Sequence, residues 1–415
     1  MSDRRAGPRM DILFVGPLIP LPGGAAISMA QLLIGLAERG HAVRAIAPIT
    51  AETLSTGQTF FARSKVDVAW FELPWFEIAT GIPPPDSYRQ LEADRLHAAF
   101  AAAIGRGRPD IILIGRESFA WHVPPLARRG GVPCVLLARG HPSRNIFDGA
   151  YEATAAAHYL EQFRRVDQIV VPARHLVEGF ERFGLGPVEL VPNAIDVRQF
   201  APRPKDPTLV RSLGLRESDV VVVHASNLTP LKRPLDVVES AAAALARHPG
   251  LHYVVVGDGP LRADLEAACR RLQIEARIHF VGWIEYQRVR DYINLADLVV
   301  MTSAIEGLSR VYLETQACGR TLLASDIPAA REVVEPGRTG LLFRVGDVPD
   351  LTAKTLLAAS DPELRAVLGG RARESVERRD LSAEVTAYAD ILGRVVQRRR
   401  PPVPDRATRA RGSPS

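Results

Sequence analysis

Short apolar runs rich in β-branched residues recur along the first half of the chain, and Ala- and Leu-rich stretches separate many of them. The apolar runs lie at residues 12–15, 42–47, 68–73, 111–114, 134–138, 168–171 and 188–191. The intervening stretches include residues 26–39 and 91–104, which have the composition of helices. This alternation predicts a parallel sheet covered by helices.

The same alternation begins again after a proline-containing segment at residues 192–207, which suits a connection between domains. The second set of predicted elements lies at residues 220–224, 235–247, 253–256, 261–272, 278–281, 288–294, 298–302, 311–318 and 321–325. A chain of 415 residues is long enough for two domains with separate cores. We therefore predict an α/β protein whose two Rossmann-like, doubly wound parallel-sheet domains face each other across a cleft.

The predicted organisation has five parts. We expect a disordered N-terminal arm at residues 1–9, a first domain at 10–198 and a second domain at 199–382. A last helix at 383–398 is expected to pack back on the first domain, and a disordered basic tail follows at 399–415.

The net charge of +5 is concentrated near the C-terminus, where the last 22 residues contain seven arginines and one aspartate. The rest of the chain is therefore close to neutral, which argues against a nucleic-acid partner. The tail is interpreted as a solvated terminus, with weak attachment to an anionic membrane face as the alternative.

Three cysteines, Cys134, Cys269 and Cys318, are odd in number and far apart in the sequence. They predict neither a disulfide framework nor a metal cage, and they indicate a reducing compartment. The sequence also has no apolar run of about 18 residues that would span a membrane. We expect a cytoplasmic protein that is at most peripheral at the inner membrane face.

The chemistry is concentrated where the predicted strand at 298–302 turns into the predicted helix at 311–318. The unpaired N–H groups of Gly307, Leu308 and Ser309, together with the helix dipole, would bind a diphosphate. Glu306 and Glu314 lie at either end of this segment, about 12 Å apart if it were helical. One carboxylate could then bind sugar hydroxyls while the other binds a ribose.

The spacing of the two glutamates is not specific by itself, since Glu181 and Glu189 have the same spacing without a strand–turn–helix context. The surrounding motifs are specific. Glu306 followed by Gly307, a second Glu separated from Glu306 by seven residues, and then Cys318-Gly resemble the retaining glycosyltransferases of family 4, which have the GT-B architecture. Further motifs of that family are matched, in order, at residues 191–196, 254–261, 280–282, 324–328 and 332–342.

The resemblance covers roughly residues 10–390 and implies a function for each domain. The first domain would bind the acceptor and the second the nucleotide sugar. The implied reaction transfers a hexose-type sugar from a nucleotide-diphosphate sugar to a hydroxyl acceptor with retained anomeric configuration, in glycan, polysaccharide or glycolipid biosynthesis. Glu306 would stabilise an oxocarbenium-like sugar. The chain lacks the Asp-x-Asp metal signature, so no divalent metal or other cofactor is expected.

The donor site that the resemblance implies departs from the family pattern in two places, one of which is Ser309-Arg310, where the family frequently has Gly-Leu. Lys232 matches the family's phosphate-binding lysine, but Asn227 stands where an arginine is usual. Arg233 and Arg310 are the two candidates for the missing cation. The other predicted donor-binding residues outside the turn are Gly23, Gly24, Gly257, Gly259 and Val281.

The acceptor side is predicted less sharply. His141 follows a predicted strand at the end that faces the cleft, where the family often places a histidine near the transferred sugar, so we treat it as a catalytic candidate. The alternative is a polar residue satisfied within the protein. Arg116, Glu117 and Arg139 are weaker acceptor-site candidates.

Two other functions are weighed against sugar transfer. A nicotinamide-dependent oxidoreductase would share paired Rossmann-like sheets, but the glycine-rich turn at Gly257 and Gly259 has Arg262 where the third glycine of the dinucleotide fingerprint belongs. A noncatalytic sugar-nucleotide-binding or scaffold protein of the same fold is the stronger alternative. The sequence leaves open the donor base and sugar, the acceptor and the oligomeric state.

Overall fold

The computed structural model describes residues 8–20, 23–74 and 86–399. The side chains of Asp86 and His141 are outside this description, as are the parts of the predicted arm and basic tail at 1–7 and 400–415. The described residues form two parallel sheets with helices on their faces, which confirms the predicted α/β class.

The first domain is built on a seven-stranded parallel sheet in the order β3-β2-β1-β4-β5-β6-β7. Its strands are β1 Asp11–Val15, β2 Ala42–Ile49, β3 Val66–Glu72, β4 Ile111–Ile114, β5 Cys134–Leu137, β6 Gln168–Val171 and β7 Val188–Leu190. Its helices are α1 Gly24–Glu38, α2 Leu54–Phe61, α3 Asp86–Gly105, α4 Val123–Arg129, α5 His141–Phe147, α6 Ala153–Phe163 and α7 Arg174–Arg182. Central strands such as β4 and β5 are apolar and buried at every position because helices cover both faces.

The second domain repeats this plan with six parallel strands in the order β10-β9-β8-β11-β12-β13. Its strands are β8 Val220–Ala225, β9 Leu251–Val256, β10 Ile278–Gly282, β11 Leu298–Met301, β12 Thr321–Ser325 and β13 Leu341–Phe343. Its helices are α8 Pro207–Ser212, α9 Pro234–Leu245, α10 Arg262–Leu272, α11 Tyr286–Leu295, α12 Arg310–Ala317, α13 Pro328–Arg331, α14 Val348–Ser360 and α15 Pro362–Val376.

Each sheet reverses its strand order between the first strand and its fourth, which places β1 beside β4 and β8 beside β11. Ligands of open α/β sheets bind at the carboxyl ends of the strands beside such a reversal. A ligand site is therefore expected at the loops that follow β1, β4, β8 and β11.

The last helix, α16 (Leu381–Arg399), follows the second domain in sequence but packs against the first. Tyr388 and Leu392 are buried in one apolar cluster with Met29 and Leu33 of α1. The two helices approach closely at Gly35, where an added Cβ would lie 2.6 Å from a methyl group of Val385. The apolar face of α16 therefore completes the core of the first domain.

Leu392→Ala is expected to destabilise the protein by about 2–5 kcal/mol, because it deletes a fully buried side chain and leaves a cavity between α16 and the first domain. The matched control is Leu357→Ala on α14, where the leucine is 51% exposed and the change should stay within about 0.5 kcal/mol. Urea unfolding followed by circular dichroism measures both. Equal effects of the two substitutions would contradict the packing of α16.

Candidate functional site

A cavity of about 1000 Å³ lies between the two domains, at the carboxyl ends of both sheets. Most of the predicted site residues line it: Gly23, Gly24, Arg116, Glu117, Arg139, Asn227, Lys232, Gly257, Glu306, Gly307, Leu308, Ser309, Arg310 and Glu314. Three predicted donor residues, Arg233, Gly259 and Val281, are not among the lining residues. His141 begins α5 beside the cavity, but its side chain is outside the described part of the structure.

Glu306 is held between two donors at the end of β11. Its Oε1 atom accepts hydrogen bonds from Lys232 Nζ at 2.5 Å and from Ser303 Oγ at 2.7 Å. Thr302 Oγ1 in turn donates to the carbonyl oxygen of Lys232 at 2.7 Å, which joins the loops after β8 and β11. Glu306 is only 7% exposed, so the ammonium group balances its charge where water does so poorly.

The turn between Glu306 and α12 is open to a ligand along its backbone. Gly307, Leu308 and Ser309 line the cavity, and Ser309 is the residue before the first turn of the helix. Within the described residues the N–H groups of Gly307 and Leu308 donate no hydrogen bond to the protein. The turn can therefore bind an anion through its N–H groups, as the sequence predicts.

Glu314 lies on the first turns of α12 in a buried cluster centred on Arg310. The guanidinium group of Arg310 contacts Glu314 Oε1 at 3.4 Å and donates to Tyr286 Oη at 2.7 Å and to Ser28 Oγ at 3.0 Å. Ser28 belongs to α1 of the first domain, so this cluster bridges the two domains. Burial raises the pKa of the Glu314 carboxyl, and the charge and hydrogen bonds of Arg310, with a hydrogen bond from Tyr286, oppose that rise.

The structure separates the two candidates for the missing cation. Arg233 forms a two-bond ion pair with Asp236, at 2.7 and 3.0 Å, and does not line the cavity. Arg310 lines the cavity, as does Asn227. Of the two arginines, only Arg310 therefore reaches the cavity, where it is paired with Glu314.

The glycine after β9 has a steric role at the cavity wall. Gly257 has a φ of +122°, and a Cβ there would lie 1.9 Å from the carbonyl oxygen of Ser226. A larger residue would be strained in its backbone and would also collide with the loop after β8. Gly257 thus allows the loops after β8 and β9 to meet.

Two of the three weaker acceptor candidates are engaged with the protein. Glu117 is fully buried, and its Oε1 accepts hydrogen bonds at 2.8 Å from the Gly140 N–H and from Ser143 Oγ. Arg139 donates to Asn193 Oδ1 at 2.9 Å and to Tyr388 Oη at 3.3 Å. Glu117 therefore holds the loop after β5 that carries His141, and Arg139 ties that loop to the interdomain connection and α16.

Sequence reasoning did not find several residues that the fold brings to the site. Ser28 and Tyr286 hold Arg310, and Arg63 lines the first-domain wall. Ser28 and Arg310 are 282 positions apart, and no motif within a single sequence connects them. The one available signal was the unusual Arg310 itself.

Arg310→Ala is expected to destabilise the protein by about 3–5 kcal/mol near neutral pH and by less in acid, because it leaves Glu314 buried without its cation. Burial already raises the pKa of Glu314, and losing Arg310 raises it further. The loss of folding stability that the ionised carboxylate causes is absent below the pKa that the Glu314 carboxyl has in the unfolded chain. It grows as pH rises from there through the pKa of Glu314 in the folded state. Urea unfolding of wild type and variant over a pH series measures the difference.

The control for this prediction is the double variant Arg310→Ala/Glu314→Gln, which has no carboxyl group left to ionise at that position. Its stability relative to wild type should vary less with pH than that of Arg310→Ala. A pH-independent loss in Arg310→Ala would contradict the coupling of the two residues.

Two negative observations apply to the described ranges. No group of three or more His, Cys, Asp or Glu side chains is arranged there to hold a metal ion. None of the helices described has both the length and the apolar character needed to cross a bilayer.

Sequence-family models match both halves of the chain. The sequence model described as Glycosyltransferase Family 4 matches residues 22–199, and the one described as Glycosyl transferases group 1 matches residues 205–375. The chain is 26% identical over 388 residues to the N-acetyl-alpha-D-glucosaminyl L-malate synthase of Bacillus anthracis, covering 90% of this chain and 95% of that protein. It is 28% identical over 301 residues to the 2-deoxystreptamine N-acetyl-D-glucosaminyltransferase of Streptomyces fradiae, covering 69% and 68% of the two chains.

Among solved structures, the fold resembles that of HepE from Anabaena, crystallised with UDP and glucose, with a TM-score of 0.76 at 20% identity over 93% of this chain and all of that one. The two family matches follow one another along the chain, and each covers most of one domain. The chain therefore belongs to the family 4 glycosyltransferases and has their GT-B fold.

Proposed function

We propose that the protein transfers a hexose-type sugar from a nucleotide-diphosphate sugar to a hydroxyl acceptor, with retained anomeric configuration and without a divalent metal. The observation that carries this proposal is the Glu306–Lys232 pair beside the open turn at Gly307, with Glu314 at the other end of the same segment. The ligands named for HepE, UDP and glucose, support a nucleotide sugar as the donor class.

In the proposed reaction, Glu306 stabilises the positive charge that develops on the sugar as its bond to the diphosphate breaks. Lys232 leaves its contact with Glu306 to compensate the negative charge that develops on the departing diphosphate. The N–H groups of Gly307 and Leu308 bind the same phosphates, and Glu314 accepts hydrogen bonds from the ribose. His141 contacts the transferred sugar or orients the acceptor.

Retention follows from the face on which the acceptor attacks. The departing diphosphate assists removal of the acceptor proton and the acceptor oxygen bonds to the sugar from the side that the diphosphate leaves. Lys232, Arg310 and the N–H groups of the turn supply the stabilisation of negative charge that a divalent metal provides in other enzymes. NMR of the product would test this, and an inverted anomer would contradict it.

Relatives differ in the acceptors that their names specify. One name specifies L-malate, a carboxylate that bears a hydroxyl group, and another specifies 2-deoxystreptamine, an amine that bears hydroxyl groups. Both support a small polar acceptor with a free hydroxyl group. They do not agree on its charge.

We also propose a cytoplasmic location. Cys134, Cys269 and Cys318 are all unpaired and buried, which suits a reducing compartment. Attachment of the basic C-terminal residues to an anionic membrane surface remains part of this proposal, and binding to vesicles with and without phosphatidylserine tests it.

The function is tested by screening nucleotide sugars for an increase in melting temperature, since a ligand that binds the folded state stabilises it. Donors that stabilise the protein are then assayed for hydrolysis and transfer. Stabilisation with neither hydrolysis nor transfer would favour the noncatalytic sugar-nucleotide-binding alternative. If no nucleotide sugar raised the melting temperature, the proposal would fail.

A further inference from the structure

We propose that the acceptor is an anion, a carboxylate or phosphate bearing a hydroxyl group, and that Arg116 and Arg63 bind its charge. This inference rests on the proposed sugar transfer, because it concerns the half of the cavity that a donor bound to the second domain leaves open. It decides between the acceptor charges that the relatives' names leave unresolved.

The two arginines lie on one wall of the cavity. Strands β2, β1 and β4 are adjacent in the first sheet, so the segments that follow them meet at its carboxyl edge. Arg116 follows β4, and Arg63 follows α2, the helix that begins after β2. Residues Pro17 and Ile19, after β1, line the same cavity. The two arginines thus belong to neighbouring segments of one wall.

The face of α2 supports a polar ligand on this wall. Thr56, Thr59 and Arg63 line the cavity and are spaced three and four residues apart, which places them on one face of a helix and its continuation. Thr56 and Thr59 are both exposed. The Thr59 hydroxyl donates to the carbonyl oxygen of Ser55 at 2.8 Å, so Thr56 supplies the hydroxyl donor that is open to a ligand. Hydroxyl donors beside a guanidinium group are suited to a carboxylate or phosphate that carries further hydroxyls.

The cationic side chains that line the cavity differ in whether they have partners in the protein. Lys232 is paired with Glu306, Arg310 with Glu314, and Arg139 with neutral partners in the protein core. The side chains of Arg116 and Arg63 make no hydrogen bond or ion pair with any of the residues described. Among the described residues that line the cavity, Arg116 and Arg63 are therefore the cations available to bind a ligand.

The negative charge that the structure describes on this wall is buried. Glu117 is the first-domain carboxylate among the lining residues that the structure describes, and its Oε1 accepts bonds from Gly140 and Ser143 inside the protein. Its side chain is fully buried, and its second oxygen, Oε2, has no hydrogen-bond partner among the described residues. Arg116 is half-buried, so it gains more from an anion than a fully solvated guanidinium group would. An amine acceptor would meet two cations here and is disfavoured.

The experiment measures binding of inorganic phosphate and of malonate to the full-length protein, with saturating UDP and at constant ionic strength. The readout is the shift in melting temperature as each anion is titrated. We expect a saturable shift with at least one anion in wild type, and binding weakened by ~10–100-fold in Arg116→Ala and in Arg63→Ala. A response to phosphate alone identifies a phosphorylated acceptor, and a response to malonate alone identifies a carboxylate.

The matched control is Arg164→Ala, which removes an exposed arginine of the first domain that does not line the cavity. It should bind both anions as wild type does. No saturable shift in wild type, or equal anion binding by Arg116→Ala and wild type, would overturn the proposal. A larger rise in the donor KM than in the anion dissociation constant for Arg116→Ala would also overturn it, since Arg116 would then bind the donor.

The outcome can be separated from that of the proposed function. Nucleotide sugars are tested for stabilisation and hydrolysis on the same wild-type preparation. If a nucleotide sugar stabilises the protein and is hydrolysed but the anions fail, the acceptor inference is wrong and sugar transfer stands. If no nucleotide sugar binds, the proposed function fails whatever the anions do.

Discussion

Glu306→Gln is expected to lower the rate of sugar transfer by ~10²–10³-fold, while nucleotide-sugar binding stays measurable. The amide keeps nearly the shape of the carboxyl group and can still accept hydrogen bonds from Lys232 and Ser303. It loses the negative charge that would stabilise a developing positive charge on the sugar. The turnover number at saturating donor and the melting shift with donor measure the two effects separately.

The matched control is Glu335→Gln, which removes a carboxylate that is also ion-paired, to Arg338, on an exposed surface of the second domain. Its transfer rate should equal that of wild type. The activation free energy of transfer should rise less in Lys232→Ala/Glu306→Gln than the sum of its increases in the two single variants, because the two residues are in direct contact. A fully active Glu306→Gln would remove the central residue of the proposed mechanism.

Gly307→Ala is expected to force the two domains apart and to lower transfer by ~100-fold or more, since small displacements of reacting groups are this costly. A Cβ at Gly307 would lie 1.8 Å from the carbonyl oxygen of Arg139 and 3.3 Å from the Cα of Gly140. These atoms are backbone of the other domain and cannot turn away as a side chain could. A larger radius of gyration in small-angle scattering, together with a lower turnover number, would show the separation.

The control for this variant is Gly393→Ala in α16, where an added Cβ has nothing within 4 Å. It should leave scattering and activity unchanged and stabilise the protein by about 0.5–1 kcal/mol, since alanine is the better helix former. Because the clash at Gly307 is with the other domain, the second domain should stay folded in Gly307→Ala. Unchanged scattering and full activity in that variant would show that the contact between the domains is not required.

Local pattern was sufficient to locate most of the secondary structure. The run predicted as a strand at 298–302 is β11, Leu298–Met301, and the stretch predicted as a helix at 311–318 is α12, Arg310–Ala317. Such strands can be predicted because a strand buried on both faces is apolar at every position and so appears in the sequence as a run of consecutive apolar residues. The repeat of this pattern after residue 207 likewise predicts two sheets.

The sequence by itself determined the two-domain α/β architecture, the turn at Glu306 and the ordered motifs of the family, because each depends on residues close together in the chain. Only the tertiary structure decided which charged side chains have partners and which do not. Lys232 pairs with Glu306, Arg233 pairs with Asp236, and Arg310 donates a hydrogen bond to Ser28. The fold also leaves Arg116 without a partner among the described residues. Lys232 and Glu306 are 74 positions apart and Arg310 and Ser28 are 282 positions apart, so these two contacts depend on the folded chain and leave no local pattern in the sequence.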